Sequence, residues 1–199
     1  MNLEVIIALA LFALVSSITP GPNNLMLMSS GANFGFKKTI PHMLGVSLGF
    51  AFMLLLVGIG LVQLFNQYPV SYDILKIVSV AYLLYLAFKI ATSASLKDAS
   101  EDESQPFTFL QAAAFQWVNP KAWTMALTAI SVYSPSQNIE SIAIVALVFA
   151  LVNLPSVSCW TLLGQKLRVL LSSNTRLRIF NYTMAGLLIL SLYPVVFGS

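Results

Sequence analysis

Two short runs carry the residue types that could do chemistry inside an otherwise apolar chain: Thr19-Pro20-Gly21-Pro22-Asn23-Asn24 and Gln116-Trp117-Val118-Asn119-Pro120-Lys121. Proline lacks a backbone donor and clashes with the turn before it, so two prolines flanking a glycine open a helix outright. Each break frees carbonyls on one side and starts a fresh helix N-terminus on the other. Asn119 reads as the cap of the second half-helix, Pro120 as its first residue and Lys121 as part of its first turn. A cation there opposes the helix dipole. The arrangement makes sense when an anion sits at the same place, held by backbone N–H groups, dipole and ammonium together, and a carboxylate is the natural candidate. The candidate substrate-binding residues are Pro20, Gly21, Pro22, Asn23, Asn24, Gln116, Asn119, Pro120 and Lys121. The competing readings are a plain proline kink at the first run and, at the second, a lysine that snorkels to an interface from tilted or re-entrant pieces.

The elements that position these runs are helices in lipid. Of 199 residues 58% are hydrophobic and 9% charged, against about 25% charged in a soluble domain. That leaves too little polar material for a water-facing shell. Six apolar stretches, at roughly residues 3–30, 40–65, 70–91, 107–133, 139–164 and 177–197, are each long enough to span a bilayer at about 1.5 Å per residue. Nothing alternates like a barrel strand, so the class is all-α and integral to the membrane. The chain reads as one transmembrane domain over 1–199, with a first repeat at about 1–92, a loop at 93–106 holding Asp98, Glu101, Asp102 and Glu103, and a second repeat at about 107–199. Each half carries its break in its first helix. Three helices per half is an odd number, so the second half inserts upside down, which gives two inverted three-helix repeats.

Eight of the ten basic residues, Lys37, Lys38, Lys89, Lys97, Lys166, Arg168, Arg176 and Arg178, fall on or beside the first, third and fifth connections. The positive-inside bias makes those loops cytoplasmic and puts both termini outside. The same residues form no continuous stripe for nucleic acid. Glu4, Asp73 and Glu140 each begin a helix, where a carboxylate suits the dipole. Met1 to Ser17 lacks a basic start and reads as a retained first helix, with a cleaved signal as the alternative. Cys159, alone in an apolar segment, reads as a small core residue. The lone His42 reads as interfacial, with no serine or aspartate constellation for hydrolysis and no metal or cofactor site. Gly45 and Gly49 permit close helix approach, within the bundle or between the protomers of a homodimer. Asn153 with Pro155, Gln116, Tyr82, Tyr85 and Asn181 are further polar groups able to face a cavity.

Thr19-Pro20-Gly21-Pro22-Asn23, Gly35, Gly45 and Gly49, Ala81-Tyr82-Leu83 with Lys89, and Asn119-Pro120-Lys121, in this order along the whole chain, resemble the LysE/RhtB amino-acid exporters. Gln116-Trp117-Val118-Asn119 and Pro22-Asn23-Asn24 lean toward the cysteine and O-acetylserine exporter branch. A glycine common in the family before the third-helix tyrosine is absent, with Ser79 and Val80 in that region, and Ala113 and Ala114 stand where the family often has glycine. The resemblance implies efflux of amino acids or close derivatives across the bacterial cytoplasmic membrane, driven by the proton gradient. An intramembrane enzyme needs paired aspartates, a serine with histidine or two reducible cysteines, and the chain offers none of these sets. A channel or a non-transporting assembly subunit is the remaining alternative.

Overall fold

A computed structural model of the chain describes residues 1–61, 63, 67, 68, 70–92, 105–134, 138–171 and 173–193, and all regular structure among them is helical. Helix α1 (Leu3–Ile18) and helix α2 (Pro22–Phe34) form one broken helix bent by 57°. Gly35 joins α2 to α3 (Phe36–Leu56), which runs on into a π turn over Val57–Leu61. Helix α4 spans Val70–Ala91. The second break separates α5 (Phe109–Phe115), with a 3-10 turn over Gln116–Val118, from α6 (Pro120–Tyr133). Helix α7 (Ile139–Leu170) is the longest, at 32 residues, and α8 covers Asn174–Leu190. The acidic loop expected over 93–106 has its four carboxylates and Lys97 outside the described residues.

Local sequence sets these boundaries. Asn2 and Asn138 cap α1 and α7 by accepting from Val5 N (3.0 Å) and Ser141 N (2.8 Å). Thr108 and Gln111 close a reciprocal capping box on α5, which satisfies two N–H groups that a helix start leaves free. Glu4, Asp73 and Glu140 lie in first turns, as expected from the dipole. Phe36–Leu61, Asp73–Ala91 and Ile139–Leu170 are long and apolar enough to cross a bilayer, and the bent α1–α2 pair makes a fourth.

Large apolar side chains cover much of the outer surface, and several polar ones lie inside beside the apolar core. Leu3, Ile7, Ile77, Phe88, Leu151 and Leu190 are exposed, whereas Asn24, Ser47, Gln116, Asn119, Asn153 and Asn181 are buried. Polar side chains thus turn inward to partners and aliphatic ones outward to lipid tails. Helix α7 is the centre of the bundle, packed on α1, α2 and α3, while α4 packs on α8. Backbones touch where α2 crosses α7: a Cβ at Gly31 would lie 2.1 Å from the Thr161 carbonyl oxygen, and one at Gly164 would lie 1.9 Å from that of Met28. No side chain fits either position. Gly45 and Gly49 are likewise used inside the bundle, against Phe109 and Ala113 of α5.

Two expectations fail. His42 is 2% exposed rather than interfacial, and its ring lies against Phe107 at 5.2 Å. The residues ahead of α5 fold over it, a tertiary cover that spacing does not reveal. Cys159 is exposed rather than in the core. On α7 the buried face runs through Asn153, Ser156, Val157, Thr161 and Gly164, and 159 falls off that stripe.

Candidate functional site

The first break leaves the last carbonyls of α1 without helical partners, and side chains from beyond the break supply them. Asn24 Nδ2 donates to Ser17 O (2.8 Å) and Thr19 O (2.7 Å). Lys121 Nζ donates to Thr19 O (2.7 Å), Thr19 Oγ1 (2.9 Å) and Pro20 O (3.3 Å). The expected geometry of α6 holds: Asn119 caps it by accepting from Lys121 N at 3.2 Å, Pro120 is the first residue and Lys121 follows. The side chain of Lys121, however, crosses to the C-terminal end of α1. There the helix dipole presents its negative pole, so the ammonium gains dipole and hydrogen-bond partners at once. Gly21 makes the crossing feasible, because a Cβ there would sit 2.7 Å from Lys121 Cδ.

A second link joins the breaks. Asn23 and Gln116 exchange amide hydrogen bonds, Asn23 Nδ2 to Gln116 Oε1 at 2.8 Å and Gln116 Nε2 to Asn23 Oδ1 at 3.2 Å. Gln116, fully buried, also donates to Ala112 O at 2.9 Å. The N-terminus of α2 itself has no side-chain cap, so its first free N–H groups remain available.

Between the breaks lies a cavity of about 30 Å³ lined by Gly21, Asn23, Asn24, Gln116, Asn119 and Lys121 among the residues singled out in the sequence. That volume holds about two water molecules. Pro20 joins through its carbonyl, and Pro22 and Pro120 act as helix-starting residues. Six further residues line the space: Ser16 and Ser17 at the end of α1, Phe50 of α3, Ala122 and Met125 of α6, and Asn153 of α7. Ser16 and Ser17 were legible as neighbours of the break, and Asn153 as a polar residue near Pro155. Phe50 gave no signal. Of the other polar candidates, Asn181 bonds to Asn33 (3.1 Å), and Tyr82 and Tyr85 pair with each other on α4; none of the three lines the cavity. Among the described residues no three His, Cys, Asp or Glu side chains gather where a metal could be held.

A bundle of apolar helices with an internal polar site at paired breaks has relatives of known name. The profile of the LysE type translocators matches residues 14–192. The chain is 33% identical over 156 residues to the cysteine/O-acetylserine efflux proteins of Escherichia coli K12, Escherichia coli O1:K1 and Shigella flexneri serotype 5b. The matched region covers 77% of this chain and 78% of each relative. No solved structure matches the chain. The chain therefore belongs to the LysE type translocators and is a membrane transport protein.

Proposed function

We propose that this protein is a secondary exporter of amino acids or their close derivatives, in which the substrate binds between the two broken helices. The observation that carries the reading is the cavity shared by both breaks, which brings Gly21, Asn23, Asn24, Gln116, Asn119 and Lys121 together from opposite halves of the chain. The substrate carboxylate docks at the uncapped N-terminus of α2 beside the Lys121 ammonium, within a protein-covered region where broken backbone is tolerated. Efflux of cysteine and O-acetylserine by relatives at 33% identity supports a small amino acid as cargo. A polar site between two broken helices from opposite halves of the chain favours a carrier that opens to each side in turn over a channel.

The architecture we assign is six membrane spans in two inverted repeats, with α1–α2 and α5–α6 as the broken first and fourth spans. Three features support it. Helices α3 and α7 meet where Ser47 Oγ donates to Ala150 O at 3.0 Å, and each residue lies eleven positions past the start of its helix. A pair of hydroxyls clasps each following turn, Ser30 with Thr39 at 2.9 Å and Ser134 with Ser141 at 2.8 Å. Helix α3 packs on α5 as α7 packs on α1. The basic residues at Lys37, Lys38, Lys166, Arg168, Arg176 and Arg178 put their connections in the cytoplasm and both termini outside, in the bacterial inner membrane. The proton gradient is the proposed energy source.

The test is counterflow of labelled O-acetylserine and cysteine in proteoliposomes. Wild type exchanges at least one of them, and Lys121→Ala and Pro22→Ala abolish exchange while the purified proteins remain monodisperse. Normal counterflow in both variants removes the site, and a C-terminal reporter found in the cytoplasm removes the six-span inverted repeat.

A further inference from the structure

The export reading leaves one end of an amino acid without a partner, and the hydrogen-bond inventory of the cavity wall supplies it. Four polar side chains of the wall are already engaged: Asn23 and Gln116 with each other, Asn24 with Ser17 O and Thr19 O, Lys121 with Thr19 and Pro20. Two oxygens in the same wall have no partner. They are Oδ1 of Asn153, a residue 5% exposed, and Oγ of Ser17, 4% exposed.

Ser17 is not unpartnered for want of a local option. Ser16, Ser79, Ser156, Ser158 and Thr161 all return their hydroxyls to the carbonyl four residues back. Ser17, in the same setting on α1, does not. Buried polar atoms in folded proteins are nearly always paired, and a native exception asks for a ligand, a water or a functional cause. Unspent and buried in the wall are thus two oxygens on the α1 and α7 side, Asn153 Oδ1 and Ser17 Oγ, and across from them the backbone donors at the start of α2. A ligand that completes both sets carries a donor at one end and an anion at the other.

We propose that Asn153, assisted by Ser17, receives the ammonium group of the transported amino acid, and that the wall thereby selects small zwitterions with uncharged side chains. This rests on the export reading. The wall contains no carboxylate, so the ammonium is held by neutral oxygens, which bind it without the desolvated ion pair that would hinder release. Phe50, Ala122 and Met125 are left for the side chain. A basic side chain would meet the Lys121 ammonium, and an acidic one would add a second anion beside the first.

The experiment compares two inhibitors of labelled O-acetyl-L-serine counterflow by the full-length protein in liposomes: unlabelled O-acetyl-L-serine, and 3-acetoxypropionate, the same molecule without its ammonium. Wild type prefers the amino acid by about 30-fold, the scale at which a buried polar group left unpaired discriminates. Asn153→Leu compresses that ratio below about 5-fold, through weaker binding of the amino acid with little change for 3-acetoxypropionate. Asn153→Asp, which keeps the acceptor and adds charge, preserves or widens the ratio. Ser17→Ala moves it in the same direction as Asn153→Leu by about 3-fold, and carries the test if the leucine variant does not fold. An unchanged ratio in Asn153→Leu and Ser17→Ala, or an equal loss for both inhibitors, overturns the assignment. A wild type inert toward every amino acid overturns the export reading itself, a distinguishable result.

Discussion

The two breaks begin their second halves alike, with a proline as first helical residue, yet they are finished in opposite ways. The second is repaired within its own neighbourhood. Asn119 N donates to Gln116 O at 3.3 Å through the 3-10 turn, Gln116 Nε2 returns to Ala112 O, Asn119 Oδ1 caps Lys121 N, and Trp123 Nε1 donates to Trp117 O at 2.8 Å. The first has no such closure on its α2 side, where Gly21 brings no side-chain cap. Its carbonyls depend in part on Lys121, 102 positions along the chain. A pair of matching motifs has therefore divided its labour. The second break is a self-contained platform, and it lends a cation to the first, whose helix start stays open to a ligand. Drawing Lys121 away from α1 would leave the Pro20 carbonyl without this donor, while Thr19 O would keep Asn24 Nδ2.

The largest effect is expected from removing the loan. Lys121→Met keeps the length of the side chain but withdraws the donor from Thr19 O, Thr19 Oγ1 and Pro20 O. Hydrogen bonds to charged groups contribute about 1.5–3 kcal/mol each, although Thr19 O keeps its bond from Asn24 Nδ2. Part of this site is solvent-accessible, so the expected net destabilisation is about 3 kcal/mol, read from reversible unfolding in mixed micelles. Lys121→Arg recovers part of it, because a guanidinium also donates to carbonyls. A Lys121→Met protein as stable as wild type breaks the contrast, since the first break would then be closed by its own residues.

Next in size is the direct amide link. Asn23 and Gln116 are buried or half-buried and bond reciprocally, so truncating Gln116 leaves the Asn23 amide unpaired, and truncating Asn23 leaves Gln116 Oε1 without a donor. A double-mutant cycle with Asn23→Ala and Gln116→Ala should return a coupling of about 1.5 kcal/mol in the same unfolding measurement. A coupling near zero would mean that this amide pair adds nothing to the other contacts that join the two breaks.

These side chains also show which parts of the molecule the sequence made legible. Proline and glycine act on backbone geometry wherever they stand, so both break positions, the capping role of Asn119 and the place of Lys121 in the first turn of α6 were readable from order alone. Direction in space was not. Order placed Lys121 in the first turn of α6, but not that its side chain reaches across to the C-terminus of α1, a neighbour no spacing identifies. The same limit explains His42, covered by Phe107 from a connecting segment, and Cys159, which falls on the exposed face of α7. Asn153 was visible as a polar residue near a proline. Only the packing of α7 at the centre of the bundle puts it in the cavity wall.

The smallest effect belongs to the self-contained break. Asn119→Ala removes one cap hydrogen bond, from Lys121 N at 3.2 Å, and nothing else of the local closure. Pro120 still holds the backbone angle that starts a helix, and the 3-10 turn still delivers Gln116 to Ala112. The cost of losing such a cap is about 1 kcal/mol, and Asn119→Asp or Asn119→Ser restores most of it, because each again offers an oxygen to the first turn. The measurement that sharpens the contrast is the ratio of this cost to that of Lys121→Met. A ratio near one third is expected from one neutral bond set against a cation with three acceptors. If Asn119→Ala instead costs as much as Lys121→Met, the second break also hangs on its cap, and lending Lys121 to the first half leaves it as exposed to disruption as its counterpart.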